Sequence, residues 1–376
     1  MRRSVFKPRS SLLLAWSSAV LYFFLGGPSQ LAADPIYSVV NLGALGAGAA
    51  MPTAINNSGS AVGFVTNPSG YQVPVTFNGQ PNSLAGDGQA SGVNDAGTVV
   101  GTQLTNNNPN VTEWSNGQAQ SLSVPGYGTA INNSGEVAGG YTTANGQLHA
   151  FTWSNGTLTD LGTLPGGTWS AAYALNSSGQ IAGTSSIGNG LFSAFFSNGS
   201  ALTPIGTFAG ANGSSYGTAI NDYGEIVGSA QNAQGFANAF VWTGGSPVDI
   251  GTLGGTQSYA YGVNDAGTVV GYSLMSDNSS HAFVYSNGIM FDVNNLLPIG
   301  SGWSIEEAFA INASGDILAS GTFGNESYAV ELLPASVVTD SDDALATPEP
   351  ASLPLAIAGL ILLCLAGRLR RNLRRL

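Results

Sequence analysis

Between residues 37 and 333 short apolar stretches alternate with clusters of Gly, Asn and Ser, and the alternation is periodic. A block of small residue, apolar residue, Asn, two variable residues, Gly, one further residue and an apolar pair recurs seven times. Its first copy is Ala54-Ile55-Asn56-Asn57-Ser58-Gly59-Ser60-Ala61-Val62-Gly63. The motif asparagines are Asn56, Asn94, Asn132, Asn176, Asn221, Asn264 and Asn312, spaced by 38, 38, 44, 45, 43 and 48 residues. The Asn-x-x-Gly step predicts a tight turn between two strands, because Asn tolerates and Gly favours the left-handed backbone. A third strand follows, as in His149-Ala150-Phe151-Thr152-Trp153, and then a fourth, as in Leu158-Thr159-Asp160-Leu161. Four strands in a period of about 40 to 45 residues is the pattern of a propeller blade.

The predicted fold is therefore all-β: a seven-bladed β-propeller of four-stranded blades over residues 34–333. The last unit stops at its third strand, Ser327 to Leu333, and an unaccompanied strand, Tyr37 to Leu45, precedes the first. Together they complete one blade, so the N-terminal strand closes the last blade and removes an open edge. A β-solenoid is the alternative, although its coils are normally shorter.

The two ends read differently. Residues 1–33 have the build of a secretory signal peptide. Arg2, Arg3, Lys7 and Arg9 precede an apolar run from Leu12 to Leu25, and Leu31-Ala32-Ala33 offers a small residue for cleavage. Arg2-Arg3 also fits a twin-arginine signal, so the general secretory and twin-arginine routes both stay open. Residues 334–350 read as an acidic, proline-containing linker. Residues 351–376 read as one transmembrane helix with an Arg-rich cytoplasmic tail. The apolar run Leu353 to Ala366 would span about 21 Å, short of a ~30 Å hydrocarbon core, so flanking residues must snorkel or the bilayer must thin. Arg368, Arg370, Arg371, Arg374 and Arg375 should stay cytoplasmic by the positive-inside rule.

Charge narrows the function. All nine Lys and Arg residues lie in the two end segments, and all 21 carboxylates fall between Asp34 and Glu349. A body without Lys or Arg cannot neutralise phosphates, which argues against nucleic acid as a partner. The lone cysteine, Cys364, excludes disulfides and cysteine-based metal sites within the body.

Two resemblances follow. Thr347-Pro348-Glu349-Pro350, then a short apolar run and an arginine tail, resembles the PEP-CTERM sorting signal. The resemblance implies handling by an exosortase-type enzyme that cuts near Pro348, Glu349 and Pro350. It also implies a Gram-negative-type envelope and association with exopolysaccharide. The repeats resemble the HAF repeat family of bacterial extracellular proteins, through His149-Ala150-Phe151 and His281-Ala282-Phe283. That family implies an extracellular location and carries no activity to transfer. The expectation is an exported protein, anchored at the inner membrane before processing and then at the surface or outside the cell.

The candidate chemistry is sparse. Seven equivalent asparagines point to a turn that every blade needs, rather than to a ligand. Asn94-Asp95-Ala96-Gly97 and its relatives lack the alternating ligands and terminal Glu of a calcium loop, so no cofactor is expected beyond weak surface Ca²⁺. His149 and His281 read as hydrogen-bonding residues of equivalent strands. Phe77, Trp114, Trp153, Phe196, Trp242 and Tyr285 recur with the repeats and read as packing between blades. Trp169 and Trp303 do not recur. They sit in connections predicted to share one face with the variable loops, beside Tyr173, Tyr261, Glu306 and Glu307. These six form the candidate ligand-binding face, and aromatic planes with carboxylates suit carbohydrate. No nucleophile elbow or separated carboxylate pair marks an active site. The favoured function is a non-catalytic binding or structural module associated with exopolysaccharide, with a polysaccharide-active enzyme as the alternative.

Overall fold

The computed structural model describes residues 37–44, 50–208 and 212–335. The signal peptide, the segment 351–376 and all but the first two residues of the 334–350 linker lie outside these residues, including Pro348, Glu349, Pro350 and the arginine tail. The described chain is a β-propeller built from five four-stranded antiparallel sheets and one seven-stranded sheet.

This corrects the expectation of seven four-stranded blades. Five blades stand as separate four-stranded sheets, but the second and third repeats share the seven-stranded one. The cause is strand Gln118–Ile131, which is continuous over 14 residues. Its first part pairs with Asn108–Ser115 and its last part with Val137–Thr142. Between Gly117 and Gly126 there is no glycine to turn the chain. At the matching junction of the first repeat, Gly86 adopts φ 92° in the turn between strands Pro81–Ser83 and Gly88–Val93. The predicted transmembrane helix, 351–376, lies outside the described residues, among which no helix is long and apolar enough to cross a membrane.

The propeller is closed rather than wound as an open coil. Strand Tyr37–Ala44 pairs antiparallel with Glu326–Pro334, with Tyr37 opposite Pro334 and Val40 opposite Glu331. It forms the outer strand of the sheet that also holds Trp303–Ile311 and Ile317–Phe323. The first strands of successive repeats are neighbours, and Trp303–Ile311 lies beside Ala50–Ile55 to complete the circle.

A second closure runs through the motif asparagines, all seven of which are buried. Asn56 Oδ1 accepts from the backbone N–H groups of Ser58 and Ser60, at 3.1 and 2.8 Å, and so shapes its own turn. Its Nδ2 donates to the carbonyl of Asn94 at 2.8 Å. Asn94 donates to Asn132, Asn132 to Asn176, Asn176 to Asn221, Asn221 to Asn264 and Asn264 to Asn312. Asn312 returns to the Asn56 carbonyl at 3.1 Å. The turn needs an acceptor and the neighbour needs a donor, and the Asn amide supplies both.

The core lies between sheets. One cluster joins Val227 and Ala239 of the fifth repeat to Ala260, Val269 and Phe283 of the sixth. Phe151, Phe195, Phe240 and Phe283, at equivalent third-strand positions, are fully buried. Such a core grows with apolar area and needs no ion pairs.

Candidate functional site

The first strand of every repeat carries a β-bulge at one position. The bulged residues are Thr53, Ser91, Thr129, Tyr173, Thr218, Tyr261 and Phe309. A bulge leaves its residue out of the ladder and re-aims its side chain. Here the re-aimed side chains line the axial channel. Three threonines do a repeated structural job. Thr53 Oγ1 lies 3.1 Å from its own sheet's Val62 carbonyl and 2.9 Å from the next repeat's Ala90 carbonyl, and Thr129 and Thr218 repeat the pattern. Tyr173, Tyr261 and Phe309 abandon it and present rings to the channel instead.

One mouth of the channel is the asparagine girdle, where a shallow basin of about 250 Å³ is lined by the turns. The residues after the motif asparagines interlock there. Asp95 accepts from the Asn57 backbone N–H at 2.9 Å and from Asn133 Nδ2 at 2.7 Å, while Asp222 accepts from the Ser177 N–H at 2.8 Å. The Asn57 N–H foremost, with Asn133 and the Asn57 side chain, holds the Asp95 carboxyl below its usual range against the cost of burial. These aspartates are parts of the girdle. Among the described residues no group of three or more His, Cys, Asp or Glu is placed to hold a metal ion.

The other mouth opens into a cup of about 580 Å³. Its wall includes Tyr173, Tyr216, Tyr261, Phe309, Phe64 and Met51, with Glu307 as the carboxylate among its lining residues. Tyr173 and Tyr216 are exposed by 41% and 42%, unusually open for large rings, and Tyr127, on the corresponding strand of the third repeat, by 47%. Behind Tyr261 stands a ladder of rings. Tyr261 and Tyr272 centroids are 5.9 Å apart, and Tyr272 stacks on Tyr259 at 5.0 Å and 15°. This ladder fixes the Tyr261 ring plane.

Glu307 reaches the cup through a second bulge. Strand Trp303–Ile311 slips register between Ile305 and Glu307, leaving Glu306 unpaired. Glu307 is half-buried and faces the Tyr261 hydroxyl. Burial raises its pKa above the usual carboxylate range; the Tyr261 hydroxyl opposes this and Glu306 adds to it. Burial and the Glu307 charge push the Tyr261 phenol up in turn.

The six sequence-selected residues separate in space. Tyr173, Tyr261 and Glu307 meet in the cup, whereas Trp169, Glu306 and Trp303 do not line it. Trp169 packs edge-on against Phe192 at 5.8 Å, and Phe192 against Tyr216 at 5.8 Å, so it buttresses the rim. Trp303 packs on Phe323 and Tyr328, at 5.2 and 5.5 Å, away from the axis. Phe64, Tyr216, Phe309 and Met51 were missed. The signal for Phe309 was its departure from the Thr of other repeats, visible once the seven copies are aligned.

The histidines are tied to carboxylates of the fourth-strand segment. His149 Nδ1 lies 3.0 Å from Asp160 and His281 Nδ1 2.8 Å from Asp292. Asn238 occupies the same place and donates to Asp249 at 2.8 Å. Each aspartate also accepts a backbone N–H two residues on: Gly162, Gly251 and Asn294. The arrangement clamps third strand to fourth, and His and Asn serve it alike.

No protein-family model matches the chain, and no curated protein matches it. Solved structures do. A Mycobacterium tuberculosis puromycin-hydrolysing peptidase superposes with a TM-score of 0.53 at 12% identity, over 80% of this chain; the chain spans about half (51%) of that protein. The β-propeller domain of the Trilobed protease from Pyrococcus furiosus gives 0.46 at 11% identity, over 65% of this chain and 83% of that one. A gluconolactonase, XC5397 from Xanthomonas campestris, gives 0.39 at 12% identity, over 76% and 98%. At such identities the likeness concerns the fold.

Proposed function

We propose that this chain is an exported, exosortase-processed protein of the cell envelope or extracellular space that binds polysaccharide, without catalysis, in the aromatic cup of its propeller. The observation that carries the reading is the break in repeat symmetry: Tyr173, Tyr261 and Phe309 stand where other repeats place a small hydroxylated residue, and all three face one cup. A repeat fold needs the same residue in every copy, so three large rings at one mouth serve something other than the fold. Ring faces stack on the C–H faces of sugars, while Tyr hydroxyls and Glu307 supply hydrogen bonds. A glycosidase needs a second carboxylate across the scissile bond. Glu307 is the one carboxylate among the described lining residues, which favours binding over cleavage. Export and processing rest on residues 1–33 and on Pro348-Glu349-Pro350.

The test is retention on polysaccharide purified from the producing cells. Tyr261→Ala and Phe309→Ala should each weaken retention about three- to tenfold, the range of a lost aromatic contact. Reducing ends should not accumulate. Unchanged retention in both variants, or sugar release lost in Glu307→Gln, overturns the binding reading. Intact-mass measurement of the mature protein tests the sorting claim separately: retention of the residues after Pro350 refutes it.

A further inference from the structure

We infer that the sugar this cup selects carries an ammonium group, as an amino sugar with its nitrogen unacetylated does. The inference rests on the polysaccharide reading above and adds the charge of the ligand. It stands on three observations.

The first is Glu307. It is a half-buried carboxylate that shares the cup with the neutral Tyr261 hydroxyl. The ion pairs among the described residues are His149 with Asp160 and His281 with Asp292, so Glu307 has no protein cation beside it. A buried charge left without a counter-charge is costly, and folds normally pair it. An ammonium arriving with the ligand completes the pair.

The second is the surrounding rings. Tyr173, Tyr216, Tyr261 and Phe309 border the same cavity as that carboxylate. Aromatic faces attract cations through their quadrupoles, and several rings around one carboxylate form an ammonium cage. Neutral sugars need a flat platform and several polar partners. This cup is walled by rings and apolar side chains, its three lining threonines are hydrogen-bonded to backbone carbonyls, and it offers one carboxylate.

The third is the field of the body. No Lys or Arg occurs between Asp34 and Glu349. An anionic polysaccharide would meet repulsion from every side with no cation to hold it, whereas a cationic one is drawn in. The raised Glu307 pKa agrees with this: the carboxylate is partly desolvated before the ligand comes, so less water remains to be removed when it does.

The experiment is calorimetric titration of the exported protein with two probes of equal length, a β-1,4-linked glucosamine tetramer and its fully N-acetylated counterpart, at about pH 6 and low salt. The glucosamine tetramer should bind at least about tenfold more tightly, and added salt should erode the difference. Glu307→Gln, nearly isosteric, should abolish the preference and bring the two tetramers to equal affinity; a thermal melt confirms that the variant is folded. Equal affinity for the two tetramers overturns the ammonium inference and leaves the polysaccharide reading intact. Failure of both tetramers and of the native polysaccharide overturns both readings. Preference for a lysine-rich peptide over the glucosamine tetramer overturns the sugar and retains the cation.

Discussion

At the residue scale the motif Asn shows what a repeat position demands. Its Oδ1 closes its own turn and its Nδ2 holds the next repeat, so neither Asp nor Leu can replace it. Asn221→Asp keeps the acceptor but loses the donor, and sets a carboxylate against the Asn264 carbonyl that the native amide reaches at 3.0 Å. A buried carbonyl loses its partner, which costs about 1–3 kcal/mol before charge repulsion is counted. Chemical denaturation should show a loss of at least that size, while the exposed Asn198→Asp stays within about 0.5 kcal/mol of wild type. The sequence made this role legible through its sevenfold recurrence. It did not reveal the relay between repeats, because a hydrogen bond from one turn to the next leaves no mark on either turn taken alone. The cup was half legible for a related reason. Tyr173, Tyr261 and Glu307 were found from their unrepeated neighbours, but Phe309 was not, because the bulge that sets its direction leaves no mark in strand alternation.

At the scale of the strand, the bulge and the glycine opposite it form one device. In the sixth repeat Tyr261 bulges between Ala260 and Gly262, and Gly271 pairs with Ala260. A Cβ on Gly271 would lie 1.9 Å from the Tyr259 carbonyl oxygen, which no side-chain motion can relieve. The seventh repeat has Ala319 at the equivalent place, and its first strand is the one with the additional bulge at Glu306. The extra residue, Glu306, lies next to Glu307. Gly271→Ala should therefore cost about 1–3 kcal/mol, as overpacking does, and should also weaken ligand binding by moving Tyr259 and Tyr261. Measuring both in one variant checks the link: a stability loss with unchanged binding would separate bulge from cup. Strand alternation sends adjacent residues such as Glu306 and Glu307 to opposite faces, and that period alone could not place a bulge between Ile305 and Glu307.

At the scale of the molecule the governing feature is an unbalanced negative charge. Burial raises the pKa of Glu113, and of Glu307 and Glu331, where Glu306 and Asp316 add to the shift. A carboxyl whose folded pKa lies above its unfolded value contributes most below the unfolded value, and that contribution is lost as pH rises through the folded one. Asp95, held low, acts oppositely and gives up its contribution only in stronger acid. Repulsion among carboxylates without Lys or Arg adds to the first effect. The melting temperature at about pH 5 should therefore exceed that at about pH 8 in low salt, and salt should narrow the gap. A higher melting temperature at the alkaline end would contradict this account. The shared closing sheet was legible from an unaccompanied strand at the start of the body and a missing fourth strand at its end. The fusion of two repeats was not, because it depends on Ser121–Pro125 continuing where the corresponding stretch of the first repeat turns.

That fusion makes the ring mechanically uneven. At the junction of the second and third repeats, one strand, Gln118–Ile131, is bonded to Asn108–Ser115 over its first part and to Val137–Thr142 over its last, with a bulge and a left-handed Ser123 (φ 59°) between them. The two sheets there cannot tilt apart without tearing a ladder. Any widening of the cup to admit a polymer must be taken up at the looped junctions, among them those flanking Tyr173 and Tyr261. Hydrogen–deuterium exchange should find the amides of 118–131 among the slowest in the protein, with ligand-induced slowing confined to the far side of the ring. The rigid sector would then serve as the anvil against which the more compliant side closes.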